Sequence, residues 1–125
     1  MLNFLYVAAG AGIGGGLRYI LSETAAKYIP GEFPYGTLLV NFLGSLSLGF
    51  LVFYFFEKSD VPLPLKLLLT TGFCGGFTTF STFSLETFNL FRSGAYISAG
   101  LNITGNVLLT IGGIAAALFI AKQLQ

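Results

Sequence analysis

Four apolar stretches, at roughly residues 3–22, 36–56, 65–91 and 95–121, take up most of this 125-residue chain. Each is long enough to cross a hydrocarbon layer of about 30 Å as a helix that rises about 1.5 Å per residue. Inside a bilayer the backbone must satisfy its own polar groups, and a helix does so within one segment. With 54% hydrophobic and 9% charged residues and a mean hydropathy of +0.82, too little polar sequence remains to build a soluble domain. The expectation is an all-α membrane protein, one integral membrane domain over residues 1–125, with four transmembrane helices.

Several function classes drop out on residue types alone. The chain has no His and a single Cys, which removes the usual transition-metal sites and any internal disulfide. Cys74 is expected to pack as a small apolar residue. A net charge of +1 offers no basic patch for nucleic acid, and no acid–base or nucleophile–base set can be assembled at membrane depth, so an enzyme is not expected. The N-terminus carries neither a basic stretch nor a small-residue cleavage site, so the first span is expected to be retained. With both termini on one side, Lys58, Lys66 and Lys122 gather there, against Arg18, Lys27 and Arg92 on the other. The positive-inside rule then sets no preferred orientation. A chain without that bias can insert both ways, and two opposed copies can pair about an axis in the membrane plane.

The third span is the unusual one. Gly72-Phe-Cys-Gly-Gly-Phe-Thr-Thr-Phe-Ser-Thr-Phe-Ser84 holds five hydroxyl side chains and four phenylalanines in thirteen residues, where a lipid-facing helix would use Leu, Ile and Val. Gly75-Gly76 weakens a helix, and Thr78, Thr79, Ser81 and Thr82 compete for backbone groups. A break near Gly75–Thr79 would free carbonyls able to ligate a hard cation such as Na+, as discontinuous membrane helices do. The alternative is a kink whose hydroxyls bond back to their own helix. Phe80 and Phe83, at i and i+3, share a helical face. Such a stripe either packs or presents the positive ring edges to an anion. Glu86 is the best candidate for a partly buried acid, although an interfacial position fits equally well.

The other spans carry fewer polar groups. Gly10/Gly14 and Gly12/Gly16 repeat at the four-residue spacing that lets membrane helices approach closely. Arg18 either snorkels to the interface or serves a buried acid or an anion. Asn41 is the one amide of span two, and reads equally as interhelical glue or as an N–H donor lining a pore. Asn102, Asn106 and Thr110 fall at four-residue intervals on span four, a polar stripe read here as hydrogen-bond partners along a permeation path.

Taken together, the Gly72–Ser84 run followed by Glu86, the Asn41-Phe-Leu-Gly44 segment, the Gly-rich first span ending in Arg18 and the overall length resemble the Fluc fluoride channels of bacteria. The resemblance covers essentially the whole chain. It implies a dual-topology antiparallel homodimer in the bacterial inner membrane, with two pores and a structural Na+ at the dimer centre. Backbone carbonyls of Gly75 and Thr78 would hold that ion. Phe80 and Phe83 would line the fluoride path, with Asn41 close by as a donor, and Ser81, Thr82, Asn102, Asn106 and Thr110 would continue the polar track. Arg18 and Glu86 are candidates for an electrostatic role. The implied activity is passive export of cytoplasmic fluoride. A pore without a central Lys or Arg suits it, because conduction needs sites that release the ion as well as capture it.

Two other classes remain. A proton-coupled small multidrug-type exporter can share the dual-topology architecture, but it needs a membrane-embedded carboxylate, and the first span has no acid before Glu23. A non-conducting scaffold protein would leave the phenylalanines without a functional role.

Overall fold

The computed structural model describes residues 1–125, and it is entirely helical. Helix α1 spans Leu2–Tyr28. Helix α2 spans Tyr35–Lys58, with a wider π turn at Leu51–Phe55. Helix α3 covers residues 63–77, with a π stretch over Leu68–Cys74. Helix α4 is Phe80–Arg92 and α5 is Tyr96–Leu124. Three helices, α1, α2 and α5, are each long and apolar enough to cross a membrane. The remaining span is made of α3 and α4. At about 1.5 Å per residue neither reaches about 30 Å alone, and only the two in series do. The four-helix expectation therefore holds, with the third helix broken.

The position of the break is more specific than the sequence implied. Gly75 keeps helical angles, φ −64° and ψ −38°, and Gly75–Phe77 is a helical turn. The chain leaves the helix at Thr78 (φ −89°, ψ 161°) and Thr79 (φ −153°, ψ 118°), then re-enters it at Phe80. The glycines do other work. A Cβ on Gly76 would run into the Ala11 carbonyl, and one on Gly72 would lie 2.8 Å from the Val7 carbonyl oxygen. From the other side, a Cβ on Gly10 or Gly14 would collide with the backbone of α3. The α1–α3 contact is thus backbone on backbone, the close approach that small residues allow in a membrane. Of the two glycine pairs on α1, only Gly10/Gly14 is used this way. Gly12 and Gly16 face open space.

Helix α2 lies between the break and α5. A side chain at Gly44 would occupy the room taken by Thr78 and Phe77, and one at Gly49 would press on Ala117 at 2.8 Å. Gly94, at φ +81°, makes the turn from α4 into α5, a left-handed conformation that glycine adopts without Cβ strain. This arrangement brings α2, α4 and α5 together around the two extended threonines.

Candidate functional site

A helix end leaves its last carbonyls without donors, and the next helix start leaves its first N–H groups without acceptors. At the break both sets lie at membrane depth, and α2 resolves part of the problem with one side chain. Asn41 Oδ1 accepts from the Thr79 N–H at 2.7 Å, and Asn41 Nδ2 donates to the Thr79 carbonyl at 3.1 Å. The amide pairs with both backbone polar groups of this residue as a neighbouring strand would. In a continued helix the Thr79 N–H would go to the Gly75 carbonyl. Redirected to Asn41, it leaves that carbonyl without its helical donor. The Gly76 carbonyl receives Nε of Arg18 at 3.0 Å. Through this nitrogen Arg18 meets a backbone carbonyl and not an acid. It caps the carbonyl end of α3, where the helix dipole favours a cation.

The start of α4 is capped by Thr79, whose hydroxyl accepts from the Thr82 N–H at 3.2 Å and donates to Thr82 Oγ1 at 3.0 Å. Ser81 Oγ stands 3.4 Å from the same hydroxyl. Ser81 and Thr82 thus crowd around the cap, outside the wall of the adjoining cavity.

That cavity, about 550 Å³, runs along the break between α2, α3, α4 and α5. Asn41, Gly44 and Ser45 of α2 line it, as do Thr70, Thr71, Cys74 and Gly75 of α3, the linking Thr78 and Thr79, Phe80 and Phe83 of α4, and Asn106 and Thr110 of α5. The Phe80 and Phe83 rings are 5.4 Å apart at 50°. Phe83 is buried, whereas Phe80 is 79% exposed at the rim. Two helix ends of opposite polarity meet here: the carbonyl end of α3 favours a cation, and the N–H end of α4 favours an anion.

The polar stripe of α5 is sorted by the fold into different places. Asn106 Oδ1 accepts from Asn41 Nδ2 at 2.9 Å, and its own Nδ2 donates to the carbonyl and side-chain oxygens of Asn102 at 2.9 and 3.0 Å. Thr110 reaches the cavity wall with its hydroxyl donated to the Asn106 carbonyl at 2.6 Å. Asn102 does not reach the cavity. It is fully buried against α4, where it donates to Thr87 Oγ1 at 2.9 Å. Asn41 serves as interhelical glue, and it also stands in the cavity wall with both Nδ2 protons engaged.

Glu86 belongs to a different place. Its Oε1 accepts from the Thr37 hydroxyl at 2.8 Å, in a second cavity of about 510 Å³ formed with the loop after α1 and the start of α2. The sequence did not single out Thr37 or Thr87. Each is a hydroxyl among many, and only the helix packing gives it a partner.

A model of the CrcB-like protein, Camphor Resistance (CrcB), family matches residues 5–119. The chain belongs to that family. A protein of Methylobacterium nodulans named "Fluoride-specific ion channel FluC" is 46% identical over 123 residues, 98% of each chain. A protein of the same name from Methylobacterium sp. (strain 4-46) is 47% identical over 123 residues, again 98% of each. One from Thermococcus gammatolerans is 46% identical over 119 residues, 95% of each. These CrcB-family relatives carry the name of an ion channel and not of an enzyme. With its long apolar helices, the chain is a multi-pass membrane protein.

Proposed function

We propose that this chain is a fluoride-selective channel that lets cytoplasmic fluoride leave a cell passively across the plasma membrane. It works as a dual-topology antiparallel homodimer with two pores. The observation that carries the reading is the cavity at the Thr78–Thr79 break, where the N–H end of α4 and the Phe80 and Phe83 rings stand on one wall. Fluoride is small and strongly hydrated, so a path must replace water with donors. Thr71 and Ser45 bring hydroxyls to the wall, and the ring edges add positive potential without a full charge. Both Asn41 Nδ2 protons are engaged, so an arriving fluoride competes with the Thr79 carbonyl or Asn106 Oδ1 for one of them. Thr110 and Asn106 continue the wall, Ser81 and Thr82 hold its cap, and Asn102 backs it from behind.

The homodimer is supported by Phe80, a ring 79% exposed beside a buried one, and by the even division of basic residues between the two ends. A second copy would cover the ring and close the groove. A structural Na+ fits the same break. The Gly75 carbonyl is deprived of its helical donor by Asn41, Gly75 and Thr78 stand together in the cavity wall, and neutral carbonyls are the oxygen ligands that Na+ takes in broken membrane helices. Bound there by both copies, the ion would supply positive charge between the two paths. Arg18 would add to that charge from its place on the Gly76 carbonyl, while Glu86 would act at the other cavity.

The test is fluoride uptake into proteoliposomes driven by membrane potential alone. Uptake with no pH gradient is expected. A strict requirement for a proton gradient would move the chain to the proton-coupled exporter class.

A further inference from the structure

We infer that Thr87 and Asn102, buried behind the cavity, are positioning residues for conduction, because they complete a one-directional chain of amides that clamps both ends of the turn carrying Phe80 and Phe83. This rests on the channel reading above. Backbone groups fix the direction of each link. The Thr79 N–H can only donate and its carbonyl only accept, so Asn41 must turn Oδ1 and Nδ2 toward them as it does, at 2.7 and 3.1 Å. The Asn102 carbonyl can only accept, so Asn106 must point Nδ2 at it, at 2.9 Å, and Oδ1 toward Asn41, also at 2.9 Å. Asn106 Nδ2 also donates to Asn102 Oδ1 at 3.0 Å, which leaves Asn102 Nδ2 facing Thr87 Oγ1 at 2.9 Å. Thr87 therefore accepts from Asn102, and its one proton goes to the Phe83 carbonyl, at 2.7 Å.

The relay thus starts at the N–H of Thr79, the residue just before Phe80, and ends on the carbonyl of Phe83. Asn41, Thr87, Asn102 and Asn106 are all buried. Asn41 and Asn106 border the cavity, but Thr87 and Asn102 lie behind it with no substitute partner at hand, so their end of the chain is satisfied in one arrangement. Removing the Thr87 hydroxyl leaves Asn102 Nδ2 without an acceptor and frees Asn102 to flip. A flipped Asn102 presents Nδ2 to Asn106 Nδ2, donor against donor, and the disturbance passes to Asn41 and the break.

Fluoride efflux from proteoliposomes, with chloride efflux beside it, tests this on three variants of the whole chain. Supporting groups one contact removed from a site cost about 10–100-fold in activity when lost, on the precedent of metal sites. Thr87→Val is expected to lose fluoride flux on that scale and to narrow the fluoride-to-chloride ratio. Thr87→Ser, which keeps the donor and acceptor, is expected to retain both. Thr87→Cys, close to Ser in size but with a feebler donor and acceptor, gives the same readout if the valine does not insert. Variants lacking the hydroxyl that match the wild type in flux and ratio overturn the inference. So does an equal loss in the serine variant, which would assign the effect to the methyl group. A wild-type chain that passes no fluoride would instead defeat the channel reading itself.

Discussion

Replacing Asn41 with leucine removes the one side chain that pairs with both backbone polar groups of Thr79. Three hydrogen bonds go, at 2.7, 3.1 and 2.9 Å. The Thr79 carbonyl can turn to the cavity, whereas the part-buried Thr79 N–H and the buried Asn106 Oδ1 lose the partner that the fold gives them, although both residues border the cavity. An orphaned buried group costs about 1–3 kcal/mol, which for two groups gives about 2–6 kcal/mol. Interhelical hydrogen bonds in bilayers average only about 0.6 kcal/mol and reach about 1.7, because the unfolded chain in lipid finds other partners. The lower part of the range applies, so about 2–3 kcal/mol is expected. Leucine gains little in return, since lipid tails are as apolar as the site it enters. Thr110→Val is the matched control, because the hydroxyl of Thr110 returns to a carbonyl of its own helix, and its loss should stay within about 0.5 kcal/mol. Reversible unfolding in mixed micelles of mild detergent and dodecyl sulfate, followed by circular dichroism, measures both. If Asn41→Leu falls within about 0.5 kcal/mol of Thr110→Val, the Thr79 peptide does not depend on Asn41 and the account of the break is wrong.

Three further expectations follow from the same geometry. Gly76→Ala should destabilise the chain by about 1–3 kcal/mol through overpacking against Ala11, whereas Gly12→Ala, facing open space in the subunit, should leave the same unfolding curve nearly unmoved; equal effects would contradict the assignment of α1 faces. Phe80→Ile and Phe83→Ile should abolish fluoride flux while the purified protein elutes and folds as the wild type does, and retained flux would show that these two rings do not line the path. Replacing Na+ by N-methyl-D-glucamine throughout purification should weaken the dimer measured by cross-linking, an outcome not expected if Gly75 and Thr78 hold no ion.

Much of the architecture was legible because it rests on local pattern. Apolar length gives the spans, and the hydroxyl-rich run after Gly72 announces a helix that cannot continue. The location of the break was less legible. Gly75-Gly76 looked like the weak point, yet both residues stay helical; the missing Cβ of Gly76 serves the contact with Ala11 of α1, and Gly75 stands in the cavity wall. The interruption falls instead on Thr78 and Thr79, the positions that Asn41 can reach from α2. Similarly, Gly10/Gly14 and Gly12/Gly16 are indistinguishable by spacing, and only the direction of approach of α3 separates them. The Asn102–Asn106–Thr110 stripe was visible as a periodicity. Its division into a buried member and two cavity members depends on where α4 lies, which no local rule contains. Thr37 and Thr87 acquire significance only through residues 49 and 15 positions away.

The most direct test of the central claim is fluoride efflux, read with a fluoride-selective electrode, from liposomes that contain only the purified wild-type chain, with chloride efflux measured in parallel. The account predicts rapid fluoride release and no matching loss of chloride. Fluoride release no faster than from protein-free liposomes, or equal release of both halides, would contradict it.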